Sequence, residues 1–201
     1  MTLFDEVRET LTRLENWGWC PLDKAMTMAA AVLSLRPEVS CEIGVYAGRS
    51  FLPMAIAHRT LGHGMAIGID PWKAEASVEG QIAKGDKDFW AVQNHHELAF
   101  NKLSDEINRL ALRNVVKVYR KRSDDVEPPR NIGVLSVDGN HGPQVLRDIE
   151  RYAPQVVPGG LIFMDDYNWS GKNVMVAVER LQAMGCKELY RVADWGVLQK
   201  L

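Results

Sequence analysis

The sequence predicts an α/β protein: a mostly parallel, seven-stranded sheet with helices on both faces and an antiparallel hairpin at its end. Three observations carry that expectation. Five short apolar runs are each followed by a helical pattern or a long crossover, which is how parallel strands are joined. The last two strand-like runs, "KELYRVA" and "WGVLQKL", have only a dipeptide-scale link, "DW", between them, which calls for a hairpin. A chain of 201 residues, 46% apolar and 25% charged, has the size and make-up of one soluble domain, residues 1–201, with a sizeable core.

Residues 1–36 read as two helices. "LFDEVRETLTRLE" places Leu3, Val7, Leu11 and Leu14 at helical spacing, and "PLDKAMTMAAAVLSL" opens on Pro21, a good first-turn residue. "NWGWC" between them reads as a turn. Alternation then begins: strand "VSCEIGV", turn "YAGRS", helix "FLPMAIAHRTLG", strand "MAIGID". A polar and aromatic insertion follows, over residues 73–97. "ELAFNKLSDEINRLAL" is amphipathic helix, "VVKVYR" and "IGVLSVD" are strands, and "GPQVLRDIERYAPQV" is helix. "GGLIFMD" is strand and "KNVMVAVERLQAM" helix, before the final hairpin.

The bulk properties exclude several classes. A net charge of -2 leaves no broad basic field for nucleic acid. No apolar run is long enough for a membrane span, and the acidic, polar start "MTLFDEVRET" is neither a signal nor a transit peptide. Cys20, Cys41 and Cys186 are far apart and lack CxxC spacing, so reduced thiols in a cytoplasmic protein are expected.

Ligands of open α/β sheets bind at the carboxyl ends of the strands. Those ends read "EIGVYAGRS", "GIDPW", "RKRSDD", "SVDGNHG" and "FMDDYNW", and each carries acids or small polar residues. Gly44 and Gly48 give the first turn freedom to pass close to a ligand, but the GxGxxG of a pyrophosphate cradle is absent. A plain structural turn is the alternative reading. Asp70, about 20 residues on, stands where an acid accepts ribose hydroxyls. A nucleoside without a phosphate, and with a cationic sulfonium for the acids to face, describes S-adenosylmethionine.

On these residues, and on "DGNHGPQVLRDIERYAPQVVPGGLIFMDDY", the chain resembles the class I S-adenosylmethionine-dependent methyltransferases, with their Rossmann-like sheet, over roughly residues 38–201. Within that class it is similar to metal-dependent O-methyltransferases of sugars and natural products and to their cephalosporin-hydroxylase-labelled relatives. The resemblance implies a cofactor site at Glu42, Gly44, Gly48 and Ser50, with Tyr46, Trp72 and Asp138 beside them, ribose at Asp70 and adenine near Ser123. It also implies a divalent cation, Mg²⁺ above all. The chain departs from the class in lacking the middle glycine of the first motif. It also has Asn140 where sugar-modifying relatives often carry an acid.

The residues supply their own reason for a cation. Asp138, Asp165 and Asp166 should converge at neighbouring strand ends, and two carboxylates about 4 Å apart repel by roughly 4 kcal/mol at an effective dielectric of 20. Hard oxygen ligands select Mg²⁺, Mn²⁺ or Ca²⁺, and such an ion lowers the pKa of a bound hydroxyl. The alternative is that Asp166 caps a loop and Asp165 faces a backbone amide. His141, three residues past Asp138, is the candidate general base, with a loop hydrogen-bonding role as the alternative. Trp72, Phe89 and Trp90 suit either a cover over the site or packing of the insertion. His95 and His96 point about 100° apart on a helix, so a solvated pair is expected rather than a shared metal.

The expected function is methyl transfer from S-adenosylmethionine to a hydroxyl of a small molecule, assisted by a divalent cation, in a protein that could form a homodimer. The rivals are a non-catalytic cofactor-binding protein and an oxidoreductase. Against the latter, the two-histidine, one-carboxylate set of a non-haem iron oxygenase is missing.

Overall fold

The computed structural model describes residues 2–80, 84–168 and 172–201, with the backbone alone at residues 84–86. Seven strands form one sheet: β1 (Val39–Ile43), β2 (Met65–Ile69), β3 (Val116–Tyr119), β4 (Ile132–Val137), β5 (Val156–Met164), β6 (Cys186–Val192) and β7 (Trp195–Lys200). Their order is β3-β2-β1-β4-β5-β7-β6. β1 to β5 pair in parallel. β7 runs antiparallel to β5, and β6 antiparallel to β7. The expected hairpin is therefore present, and its return strand, not its outgoing one, lies against β5.

The chain works outward from β1 to β3 and then returns to the middle at β4. This leaves a crevice between β1 and β4, the place where such sheets bind ligands. Register fixes what stands there. Ile69, Ile43, Val137 and Met164 are aligned across β2, β1, β4 and β5. The next residue on each strand is therefore Asp70, Gly44, Asp138 or Asp165, one row along the lip of the sheet. Gly44 is required in that row. Its φ is +87°, and a Cβ there would lie 2.2 Å from the Asp138 carbonyl oxygen.

Helices cover both faces. On one side lie α1 (Leu3–Arg13), α2 (Leu22–Leu35), α3 (Phe51–Leu61) and α6 (Gln93–Arg109), burying Val7, Leu11, Met28, Val32, Leu52 and Leu103. On the other, α7 (Gln144–Tyr152) and α8 (Asn173–Ala183) bury Ile149, Tyr152, Val178 and Leu181. All six residues of β4 are buried, which is why "IGVLSV" reads as continuous rather than alternating apolar sequence.

The two N-terminal helices are tied to the lip of the sheet by one side chain. Arg49, in the turn after β1, donates to the carbonyls of Leu11 (2.9 Å), Leu14 (2.6 Å) and Cys20 (3.0 Å). It thereby satisfies carbonyls at the end of α1 that the helix cannot pair internally. At its other end α1 starts on a capping box, Thr2 with Asp5.

The insertion carries α4 (Ala74–Ser77) and α5 (Lys84–Trp90), and α6 begins at Gln93, ahead of its apolar run. This corrects the expectation of a solvated histidine pair. His96 is buried, with Nε2 2.9 Å from the Trp90 carbonyl oxygen. The three cysteines are free and buried. Among the described residues, no helix is long and apolar enough to cross a membrane.

Candidate active site

A cavity of about 510 Å³ opens over the lip, between the strand ends, the turn before α2 and the insertion. Of the residues expected at the site, Gly44, Tyr46, Ser50, Asp70, Ser123, Asp138, His141, Asp165 and Asp166 line it. Glu42, Gly48 and Trp72 do not. Gly48 (φ +91°) makes room for Leu103 of α6, since a Cβ would meet that side chain at 2.6 Å. Trp72 is wholly buried in this structure: it donates from Nε1 to the Tyr46 carbonyl (2.9 Å) and packs edge-on against Phe100. Glu42 lies beneath the lip, accepting from Ser136 at 3.0 Å, and burial pushes its carboxyl up to about 7 despite hydrogen bonds from Ser50 and Ser136.

At the β2 end, Asp70 is fixed by two backbone donors, Tyr46 N–H to Oδ2 (3.0 Å) and Trp72 N–H to Oδ1 (2.7 Å). Tyr46 and Trp72 both have positive φ, at 48° and 45°. The two loops thus bend around one carboxylate, and this geometry explains why neither loop extends its preceding strand. Each Asp70 oxygen keeps a lone pair for a ligand hydroxyl.

Beyond Ser123 the cavity ends at an acid that sequence reasoning missed. Asp148 of α7 is buried, accepting at Oδ1 from Ser123 (2.6 Å) and Gln144 (2.9 Å). Its Oδ2 is buried without a hydrogen-bond partner among the described residues, on a residue that lines the cavity. Burial raises this carboxyl to about 6, against the two side-chain donors. A buried acceptor left open at the wall of a cavity points to a ligand donor.

The third cluster surrounds β4 and β5, and it holds the largest departure from expectation. Lys24, from the first turn of α2, reaches between the two strands. Its Nζ lies 3.1 Å from Asp138 Oδ2 and closer still to Asp165 Oδ2, with the lysine side chain 1% exposed. Burial works against its charge, but Asp138 and Asp165 outweigh it and hold the ammonium above its ordinary pKa. The two acids divide their roles. Burial and the neighbouring Asp165 push Asp138 well upward, whereas Asp165 is buried too but is held below the usual range by Lys24 and by a hydrogen bond from Asp138. The Lys24 ammonium thus stands as the counter-charge between two coupled acids.

Asp166 turns away from this pair, its backbone at φ 57°, and places Oδ2 3.2 Å from His141 Nε2. Burial takes the His141 imidazole down to about 4, and burial with repulsion from Asp165 lifts Asp166 to about 7. At neutral pH the imidazole is therefore uncharged and able to accept a proton. The alternative in which Asp166 merely caps a loop is not what is seen.

The three-carboxylate metal site expected at Asp138, Asp165 and Asp166 does not fit these residues as they stand. A divalent ion about 4 Å from the Lys24 ammonium would meet a repulsion of roughly 8 kcal/mol at an effective dielectric of 20. Among the described residues, the group whose ligand atoms do lie together, all within 4.8 Å, is Asp138, His141 and Asp166. That set exchanges a carboxylate for an imidazole and shares Asp138 with Lys24. It is a poorer match for Mg²⁺, which takes oxygen ligands in near-ideal octahedral geometry.

An aromatic wall closes the outer side. Trp19 stacks on Tyr46 (6.1 Å between ring centroids) and meets Phe89 and Trp90 at 5.6 Å each, while Trp90 meets Tyr46 edge-on at 5.3 Å. Trp19, 69% exposed, and Trp90 line the cavity. Trp90 therefore both packs the insertion and borders the site, whereas Phe89 packs behind it against Trp19 and Trp90.

A family model for a methyltransferase domain matches residues 41–167, well over half of the chain. The chain belongs to the methyltransferase-domain family. The matched stretch contains Asp70, Asp138, His141, Asp148, Asp165 and Asp166, whereas Lys24 and Trp19 of this methyltransferase lie outside it. No curated protein sequence matches the chain. Among solved structures it is similar to the O-methyltransferase NovP, with TM-score 0.68 and 18% identity over 94% of this chain and 79% of that one. It is also similar to the calicheamicin methyltransferase CalS11, with TM-score 0.63 and 15% identity over 97% and 91%. A third is TomG, the tomaymycin-synthesis O-methyltransferase of Streptomyces achromogenes solved with SAM, with TM-score 0.62 and 11% identity over 100% and 90%. These likenesses show that the methyltransferase shares its fold with these proteins, a mostly parallel seven-stranded sheet ending in an antiparallel hairpin.

Proposed function

We propose that this methyltransferase moves a methyl group from S-adenosylmethionine to a hydroxyl of a small molecule. The observation that carries the reading is the cavity with Asp70 at one end of the lip and the neutral, buried His141 beside Asp166 at the other. Asp70 accepts the ribose hydroxyls. Asp148 Oδ2 accepts from the adenine amino group, beside Ser123. The strand-end acids face the sulfonium. The acceptor packs against Tyr46, Trp19 and Trp90, with its hydroxyl toward His141.

The reaction balances without a redox partner. The hydroxyl oxygen forms a bond to the methyl carbon as the carbon–sulfur bond breaks, and the bonding pair stays on sulfur, giving neutral S-adenosylhomocysteine. The hydroxyl proton passes to the His141–Asp166 pair, the imidazole taking it up and Asp166, the more basic of the two, holding it as a neutral acid. Charge is lost rather than built up along the reaction, so the protein's main contribution is alignment and exclusion of water. TomG, solved with SAM, supports the donor by fold alone, and the O-methyltransferases NovP and TomG support the oxygen acceptor in the same way; the site residues support both by chemistry.

The test is twofold. Calorimetry should show S-adenosylhomocysteine binding to the purified chain. Incubation with methyl-labelled S-adenosylmethionine and a panel of phenols, sugars and other hydroxylated small molecules should place the label on oxygen. Cofactor binding without transfer to any hydroxyl would favour a non-catalytic binding protein.

A further inference from the structure

The carboxylate cluster already contains a cation, and it comes from a helix outside the family's matched stretch. We infer that the Lys24 ammonium stands where a divalent ion would bridge the strand-end carboxylates, so that this chain does its chemistry without binding a metal there. The inference rests on the methyltransferase reading of the cavity.

Three observations support it. First, the position is central: Nζ of Lys24 contacts carboxylates from two adjacent strands, Asp138 after β4 and Asp165 after β5. Those are two of the three oxygens that a bridging ion would need. Second, the ammonium is not a mobile surface charge that an ion could displace into solvent. Its side chain is buried, and α2 is seated on α3, with Met28 and Val32 in the core. Its approach is set by the Arg49 hydrogen bonds that hold the preceding turn at Cys20. Third, the function of a cation here is the same for either occupant: it keeps two strand-end carboxylates together beside the acceptor pocket. A lysine delivers that charge with a fixed geometry and leaves Asp166 to pair with His141. Lys24 is thus a positioning residue, acting on the acceptor through Asp138 and Asp165.

The experiment is a Mn²⁺ titration of the full chain, read by electron paramagnetic resonance and calorimetry, for the wild type and for Lys24→Met and Lys24→Gln. Wild type should show no saturable Mn²⁺ binding up to the millimolar range, and removing the ammonium should tighten Mn²⁺ binding by at least about tenfold. Methyl transfer by the wild type should persist in excess chelator. Stoichiometric Mn²⁺ binding to wild type that is lost in Asp138→Asn would overturn the inference, since the ion would then sit at Asp138, His141 and Asp166 despite the lysine. It would also be overturned if the Lys24 variants gained no affinity, because something other than the ammonium would then exclude the ion. Where the variants fail to fold, the wild-type titration alone decides. S-adenosylhomocysteine binding, measured in parallel, separates failure of this inference from failure of the methyltransferase reading: the cofactor binds in the first case and does not in the second.

Discussion

Replacing Asp70 offers a direct measure of how the proposed cofactor site is built. In the free protein its two oxygens take the amides of Tyr46 and Trp72. With cofactor bound, they would also accept the ribose hydroxyls. Asp70→Asn keeps the shape and one acceptor oxygen but turns the other position into a donor, facing an amide that also donates. A hydrogen bond to a charged acceptor is worth about 1.5–3 kcal/mol, which is roughly a 10- to 150-fold loss of affinity. The folded protein should suffer as well, because one buried backbone donor loses its partner at a cost of about 1–3 kcal/mol. Calorimetric titration with S-adenosylhomocysteine, beside thermal unfolding of the free protein, separates the two effects. Both should move, with Asp70→Ala worse than Asn in stability because it orphans both amides. A folded Asp70→Asn protein with wild-type affinity would show that the carboxylate only shapes the loops, and that the ribose lies elsewhere.

Three further outcomes follow from the same geometry. His141→Ala should lower turnover by about 10²–10⁴-fold in single-turnover assays, while leaving S-adenosylhomocysteine affinity nearly unchanged; near wild-type turnover would make the imidazole structural. Asp148→Asn should erode discrimination between adenosyl and inosyl cofactor analogues, which a charged acceptor facing the amino group holds at roughly tenfold or more; equal discrimination in both proteins would move the adenine away from α7. Glu42→Gln should change how stability depends on pH. The folded state holds the Glu42 proton up to about 7 against an ordinary value of 4.5. The unfolded chain therefore ionises first, and stability falls as pH rises between those values. Above pH 7 the full penalty of about 3 kcal/mol is in force, so the variant's advantage in denaturant melts should grow from pH 5 to pH 8. A flat difference would show that Glu42 is not buried as an acid.

The fold was legible because each strand is signalled locally. β4 reads as an unbroken apolar run since helices cover both its faces, and the short link before Trp195 permits only a hairpin. The strand order, however, depends on which edges meet, and here β7 rather than β6 pairs with β5. The burial of Trp72 was hidden for a similar reason. An aromatic residue after a strand-end acid suggests a ligand contact, yet its indole satisfies the Tyr46 carbonyl inside the core. The histidine pair looked solvated because adjacent residues on a helix point about 100° apart and cannot easily share a metal. His96 is nonetheless buried, beside both the ring and the carbonyl of Trp90.

The charge cluster shows where local reading runs out. Counting acids at strand ends correctly brought Asp138 and Asp165 together, and it correctly concluded that they need a positive neighbour. The missing step was to ask whether the chain supplies one. A signal was present in "PLDKAMTMAAAVLSL": Lys24 stands four residues before Met28 and eight before Val32, on the face that is buried. A lysine on an apolar helical face must either reach solvent along its stem or find an acid in the interior. Because α2 packs into the core, solvent is closed to it, and Asp138 and Asp165 lie 114 and 141 residues away along the chain. No periodicity links positions so distant, but the two accounts can be read jointly. One buried cation without a named partner and one buried pair of anions without a named counter-ion answer each other. The fold needs only to bring the first turn of α2 to the lip of the sheet, which Arg49 does.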